Sequence, residues 1–85
     1  NLSKNNITDA GAKALAGSRS LEKLKKLDLN FNRIGDEGAR AIAVSPNFSN
    51  LESLKLGQNK IGTEGALALN ESKILQNLVH PIFGF

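Results

Sequence analysis

A chain of 85 residues is long enough for one small compact unit, of a size that is marginal unless something staples it. With no cysteine and one histidine, His80, it has no disulfide, no thiolate metal site and no set of ligands for a protein-only zinc site. Eleven basic residues are mixed with eight acidic ones for a net charge of +3, and no apolar run reaches spanning length, so neither a nucleic-acid arm nor a membrane segment is expected.

The first element in chain order is a helix within NLSKNNITDAGAKALA, residues 1–16. Asp9 is a favoured N-cap. Ile7, Gly11 and Leu15 are spaced by four and share one helical stripe. A glycine is costly inside a helix, so Gly11 is expected where a neighbouring segment approaches closely, with Ala12 and Ala14 serving the same end. Lys13 is expected to face water, and Ser18 closes the helical part.

A short strand follows. Leu24, Leu27 and Leu29 read L-x-x-L-x-L, and the last two alternate with polar residues, the period of a strand with one buried face. Asn32 then marks a turn. A buried asparagine there can satisfy backbone groups where the chain leaves the strand, and can bond neighbouring copies of itself in a ladder. The second helix begins with Asp36 as its expected N-cap. Glu37 sits in the first turn, where the helix dipole favours negative charge.

The same elements then return. Leu51, Leu54 and Leu56 repeat the strand, Asn59 the turn, and Thr63, Glu64, Gly65, Ala66, Ala68 and Leu69 the helix. Shifting the chain by 27 residues aligns Leu2/Leu29/Leu56, Asn5/Asn32/Asn59, Ile7/Ile34/Ile61, Gly11/Gly38/Gly65 and Ser18/Ser45/Ser72 with no insertion. One domain over 1–85 is expected, holding about three repeats at 1–27, 28–54 and 55–81. Its C-terminal end is degenerate. Asn70 replaces the alanine of the Ala16/Ala43 column, Leu67 breaks the Lys13/Arg40 column, and Pro81 stands in the Leu54 column, while Phe83 fits the Leu56 column. The chain starts at Asn1 inside a repeat, so a piece of a longer array is expected.

No single unit of strand, turn, helix and return loop can bury its own apolar face. Stacked units can, which predicts an α/β solenoid with parallel strands along one side and helices along the other. Helices are wider than strands, so such a stack curves with its strands inside.

The pattern L-x-x-L-x-L-x-x-N-x-I-G-x-E-G-A-x-A-L resembles a leucine-rich repeat of the ribonuclease-inhibitor-like type, from Leu2 to about Leu78. GAKALA (11–16), GARAIA (38–43) and GALAL (65–69) are also similar to the GALA-type repeats of bacterial effectors. The resemblance implies a horseshoe with strands on the concave face and helices on the convex face, mostly intracellular, that binds a protein on the concave face. It also implies an alternative, part of a GTPase-activating protein of the Ran type. A third reading is a purely structural segment within a larger array.

Under the first reading, the outward strand positions form the partner surface: Lys26, Asp28, Asn30 and Phe31 in the second copy, and Ser53, Lys55, Gly57 and Gln58 in the third, with Ser3 and Lys4 left from the first. Phe31 is the expected anchor. The competing reading folds Phe31 over a neighbouring side chain and treats the charged positions as a solvated face. No catalytic residue, cofactor or metal is expected: GQNKIGTEG lacks the lysine of a phosphate loop, and His80 has no hydrolytic partners. Few aromatics also argue against a nucleic-acid face. The expected setting is cytoplasmic, although the sequons at Asn6, Asn47 and Asn70 leave an extracellular one open. With both ends lacking clear polar caps, end-to-end self-association of the isolated chain is expected.

Overall fold

The computed structural model describes residues 4–75, so Leu2, Ser3, Leu78, His80, Pro81 and Phe83 lie outside the described residues. Five regular elements alternate along the chain: α1 (Asp9–Ala16), β1 (Lys26–Asp28), α2 (Asp36–Val44), β2 (Ser53–Lys55) and α3 (Thr63–Asn70). Single 3₁₀ turns at Arg19–Leu21 and Pro46–Phe48 carry the chain from the first two helices back toward the strands.

β1 and β2 pair in parallel, with Lys26 opposite Ser53, Leu27 opposite Leu54 and Asp28 opposite Lys55. The pairing runs on past the strands. The Leu29 amide donates to Lys55 O at 2.8 Å, Phe31 N to Gly57 O at 2.9 Å, and Lys4 N to Asn30 O at 3.1 Å. The helices pack in the same order, α1 on α2 and α2 on α3. Leucines of the alternating columns (Leu27, Leu29, Leu54 and Leu56) point between the two layers and meet Ala12, Ala39, Ile42 and Leu69 from the helices. Each fully buried leucine or isoleucine contributes about 1.5–3 kcal/mol relative to an exposed one.

One core column is missing from the sequence reading. Leu21, Phe48 and Leu75 stand 27 apart at the end of each return turn, with Phe48 and Leu75 buried and Leu21 packed against the core. Phe48 is the largest fully buried side chain among the described residues.

The asparagine turn satisfies backbone groups as expected, with links between repeats that join a carboxamide to backbone atoms and not to a second carboxamide. Asn32 is buried, and its Oδ1 accepts from Asn5 N at 2.9 Å and Ile7 N at 3.0 Å, both in the preceding repeat. Asn59 Oδ1 likewise accepts from Ile34 N at 3.0 Å. The Leu29 carbonyl takes both carboxamides, Asn32 Nδ2 at 3.0 Å and Asn59 Nδ2 at 2.9 Å, which makes it a rung shared by two repeats.

The expected N-caps need correction. Thr8, Gly35 and Gly62 hold the N-cap positions in extended backbone, and Asp9, Asp36 and Thr63 are the first helical residues. The aspartates cap the next helix instead of their own. Asp9 Oδ1 accepts from Gly35 N at 2.6 Å and Gly38 N at 3.1 Å, and Asp36 Oδ1 from Gly62 N at 2.7 Å and Gly65 N at 3.0 Å. These are the orphan donors that a local cap would satisfy. At the other helix end the serine column does the converse: Ser45 Oγ donates to Ala16 O and Ser72 Oγ to Ala43 O. α2 is therefore closed by the preceding repeat at its start and by the following repeat at its end.

This arrangement also explains the glycine column. A Cβ on Gly38 would lie 2.7 Å from Asp9 Oδ1 and 3.1 Å from Ala12 Cβ, and one on Gly65 would lie 2.6 Å from Asp36 Oδ1 and 3.1 Å from Ala39 Cβ. The expected close approach between repeats is found at Gly38 and Gly65, where the isoleucine four residues earlier crowds the same space, whereas a Cβ on Gly11 would meet only Ile7 of its own segment.

Candidate binding surface

The strand side presents three rows of outward positions. Register puts Lys26 beside Ser53 in the first row and Asp28 beside Lys55 in the second. Leu27 and Leu54 face the core, so their neighbours on either side face out. Lys26 and Lys55 are exposed, while Ser53 and Asp28 are half-buried.

The third row lies beyond the strands. β1 ends at Asp28 and β2 at Lys55, so Asn30, Phe31 and Gln58 sit on turns, where the sequence reading had them as strand positions. The reason is the backbone. Lys4, Phe31 and Gln58, one residue per repeat, have φ of 61°, 57° and 58°. This left-handed conformation costs a non-glycine residue about 1–2 kcal/mol and cannot continue a strand. It turns the chain into the asparagine at the next position, which is buried at Asn32 and half-buried at Asn59.

Asp28 and Asn30 hold this turn. Asp28 Oδ1 accepts from Asn30 N at 3.0 Å, and Asn30 Oδ1 accepts from Gly57 N at 2.6 Å, across to the next repeat. Both are half-buried, and both are engaged in positioning the backbone beneath Phe31. Phe31 itself remains 52% exposed. The Lys4 ammonium lies 5.7 Å from the centroid of its ring, within cation–π range. Phe31 therefore does touch a neighbouring side chain, as the competing reading required, and still leaves half its surface to solvent.

Two further exposed residues adjoin this row and were not singled out from the sequence: Arg33 and Lys60. They follow the turn asparagines Asn32 and Asn59 in the column that begins with Asn6. Their signal was the column itself, since the residue between two inward positions, Asn32 and Ile34, must point out. Backbone bonds fix their place between repeats, with Arg33 N donating to Ile7 O and Lys60 N to Ile34 O, both at 2.8 Å.

The helix side differs. Its charges are matched across repeats, Lys13 with Glu37 at 3.3 Å and Arg40 with Glu64. A groove of about 530 Å³ between the ends of α2 and α3 is lined by Arg40, Val44, Ala68, Lys73 and Ile74. Within GQNKIGTEG the Gly62 and Gly65 amides donate to Asp36 Oδ1. Among the described residues, no helix is long and apolar enough to cross a membrane.

A family model described as Leucine Rich repeat matches residues 1–16, 20–43 and 49–69. Searches of curated proteins and of solved structures return no match.

Proposed function

The chain belongs to the leucine-rich repeat family, and on that premise we propose that it is a protein-interaction module, a single domain whose strand-and-turn side is the binding surface. Proteins of this family generally mediate protein–protein interaction, and the reading here involves no catalytic step. The observation that carries it is Phe31. The turn that every repeat shares holds here a bulky aromatic, half exposed beside Lys4, where the other copies carry the polar side chains of Lys4 and Gln58. Aromatic anchors of this kind dominate binding energies at interfaces. Around it Lys26, Asp28, Asn30, Ser53, Lys55 and Gln58 supply the polar rim, on a scaffold rigid enough to lower the ordering cost of binding.

The same reading makes the repeat ribonuclease-inhibitor-like, curves the stack with this side concave and places the protein in the cytoplasm.

The test is affinity capture with the wild-type chain, the Phe31→Ala/Lys55→Ala double variant and a helix-side control, Lys13→Ala/Arg40→Ala. A partner lost with the first variant and kept with the second is expected. Equal capture by all three proteins counts against the strand side as the binding surface.

A further inference from the structure

The charges of this molecule are sorted by side. On the helix side each basic residue of the Lys13/Arg40 column meets a glutamate of the next repeat. Asp9 and Asp36 are consumed in capping the following helices. Arg19, Glu22, Lys23, Glu71 and Lys73 lie on the return turns, and the outward strand and turn positions carry Lys4, Lys26, Arg33, Lys55 and Lys60, all exposed, against Asp28 alone. Five cations and one carboxylate leave an excess of four on this surface, more than the +3 of the entire chain. Lys25 and Glu52, exposed just before the strands, offset each other. None of the five cations makes an ion pair among the described residues.

We infer that the partner bound here is an acidic polypeptide segment, one that sets Asp or Glu side chains on either side of an apolar residue. This rests on the strand-side reading above. The Phe31 ring takes the apolar side chain, and Lys4 beside it, with Arg33, Lys55 and Lys60 around it, takes the carboxylates. Arg33 is the member suited to a bidentate grip. Complementary charge of this kind governs the encounter rate and the choice of partner more than it governs the packing energy. The aromatic and the cations therefore have separable roles.

The experiment is selection of random twelve-residue peptides displayed on phage against the full chain, followed by binding of the selected peptides to variants. Peptides enriched in Asp and Glu, with an apolar residue between them, are expected. Their affinity should fall about tenfold or more in Arg33→Glu/Lys55→Glu/Lys60→Glu and fall steeply with added salt. It should be unchanged in the helix-side pair Lys13→Glu/Glu37→Lys. Circular dichroism melts of all variants verify that the fold persists. Selected peptides without acidic enrichment that still lose binding in Phe31→Ala overturn the acidic partner and leave the strand-side surface standing. Peptides insensitive to both Phe31→Ala and the triple reversal overturn the surface as well. Tighter binding to an oligothymidylate, or to phosphatidylserine vesicles, than to any selected peptide also overturns the inference, because the basic surface would then serve a nucleic acid or a membrane.

Discussion

Asp36 and Gly65 are 29 positions apart in sequence, and the carboxylate Oδ1 of one lies 3.0 Å from the amide nitrogen of the other. Asp9 and Gly38 repeat the relationship at 3.1 Å. Each pair joins the first residue of one helix to the start of the next one. Replacing Asp36 with alanine should cost about 1–2 kcal/mol, the value of a lost helix cap, measured by urea denaturation. Asparagine at the same site should recover part of it. A loss no larger than that of an exposed substitution such as Lys23→Ala would show that the crossing cap contributes nothing.

The glycines divide into two kinds. Gly38→Ala places a methyl 2.7 Å from Asp9 Oδ1, and the overpacking cost of about 1–3 kcal/mol should outweigh the gain of about 1 kcal/mol from better helix propensity. Gly17 has φ of −89°, and its nearest new contact would be an ordinary 3.6 Å from Lys13 O. Gly17→Ala should therefore be neutral or stabilising by up to about 1 kcal/mol. Thermal melts of the two single variants should move in opposite directions.

The asparagine rungs should be the most sensitive polar positions. Asn32→Ala strands the amides of Asn5 and Ile7, along with a carbonyl bond to Asn30. Each unsatisfied buried group costs about 1–3 kcal/mol, so a total above about 2 kcal/mol is expected. Hydrogen exchange should locate the damage, with the Ile7 amide deprotected more than the Ile34 amide, which is held by Asn59.

The Lys13–Glu37 pair offers the opposite expectation. Its side chains are 56% and 66% exposed, so it belongs with surface pairs, which contribute about 0–1 kcal/mol. Lys13→Met should leave the urea midpoint nearly unchanged, and raising the salt should not distinguish it from the parent. A clear salt-dependent loss would indicate that the charge columns set the stacking.

An isolated chain of about three repeats should be marginally stable or should associate end to end. Sedimentation velocity over a range of concentrations tests this. A cooperative, high-melting monomer at every concentration would contradict it.

Much of this architecture could be read before any coordinates. The 27-residue columns carry the strands, the asparagine turns, the helices and the inward leucines, because each is a local pattern of period and residue type. What was misread involves a partner in another repeat. Asp9 and Asp36 carry the signature of N-caps, and they do cap, but the helix they close begins 26 or so residues later. Local propensity cannot choose between two donors that only stacking brings close. Phe48 escaped notice for a different reason: its column mixes Leu21, Phe48 and Leu75, and it follows a turn that the eye takes as the end of the repeat. On the binding surface, Phe31 stood out by chemistry, but its place on a left-handed turn and the cations at Arg33 and Lys60 emerged only from the backbone path.

The crossing contacts have a consequence for how such a chain can change length. The first and second repeats each offer an aspartate forward, and the second and third each offer an asparagine and a serine backward. Excising residues 28–54 would bring Asp9 to Gly62 and Gly65, Ala16 to Ser72, and Ile7 to Asn59, so these crossing bonds find chemically identical replacements, whereas the Asn47 bond to Ala16 O is lost because Ile74 holds that column. The second repeat is thus an exchangeable cassette. Growth or contraction in whole 27-residue steps leaves the joints intact, while a shift by any other number breaks all of them at once.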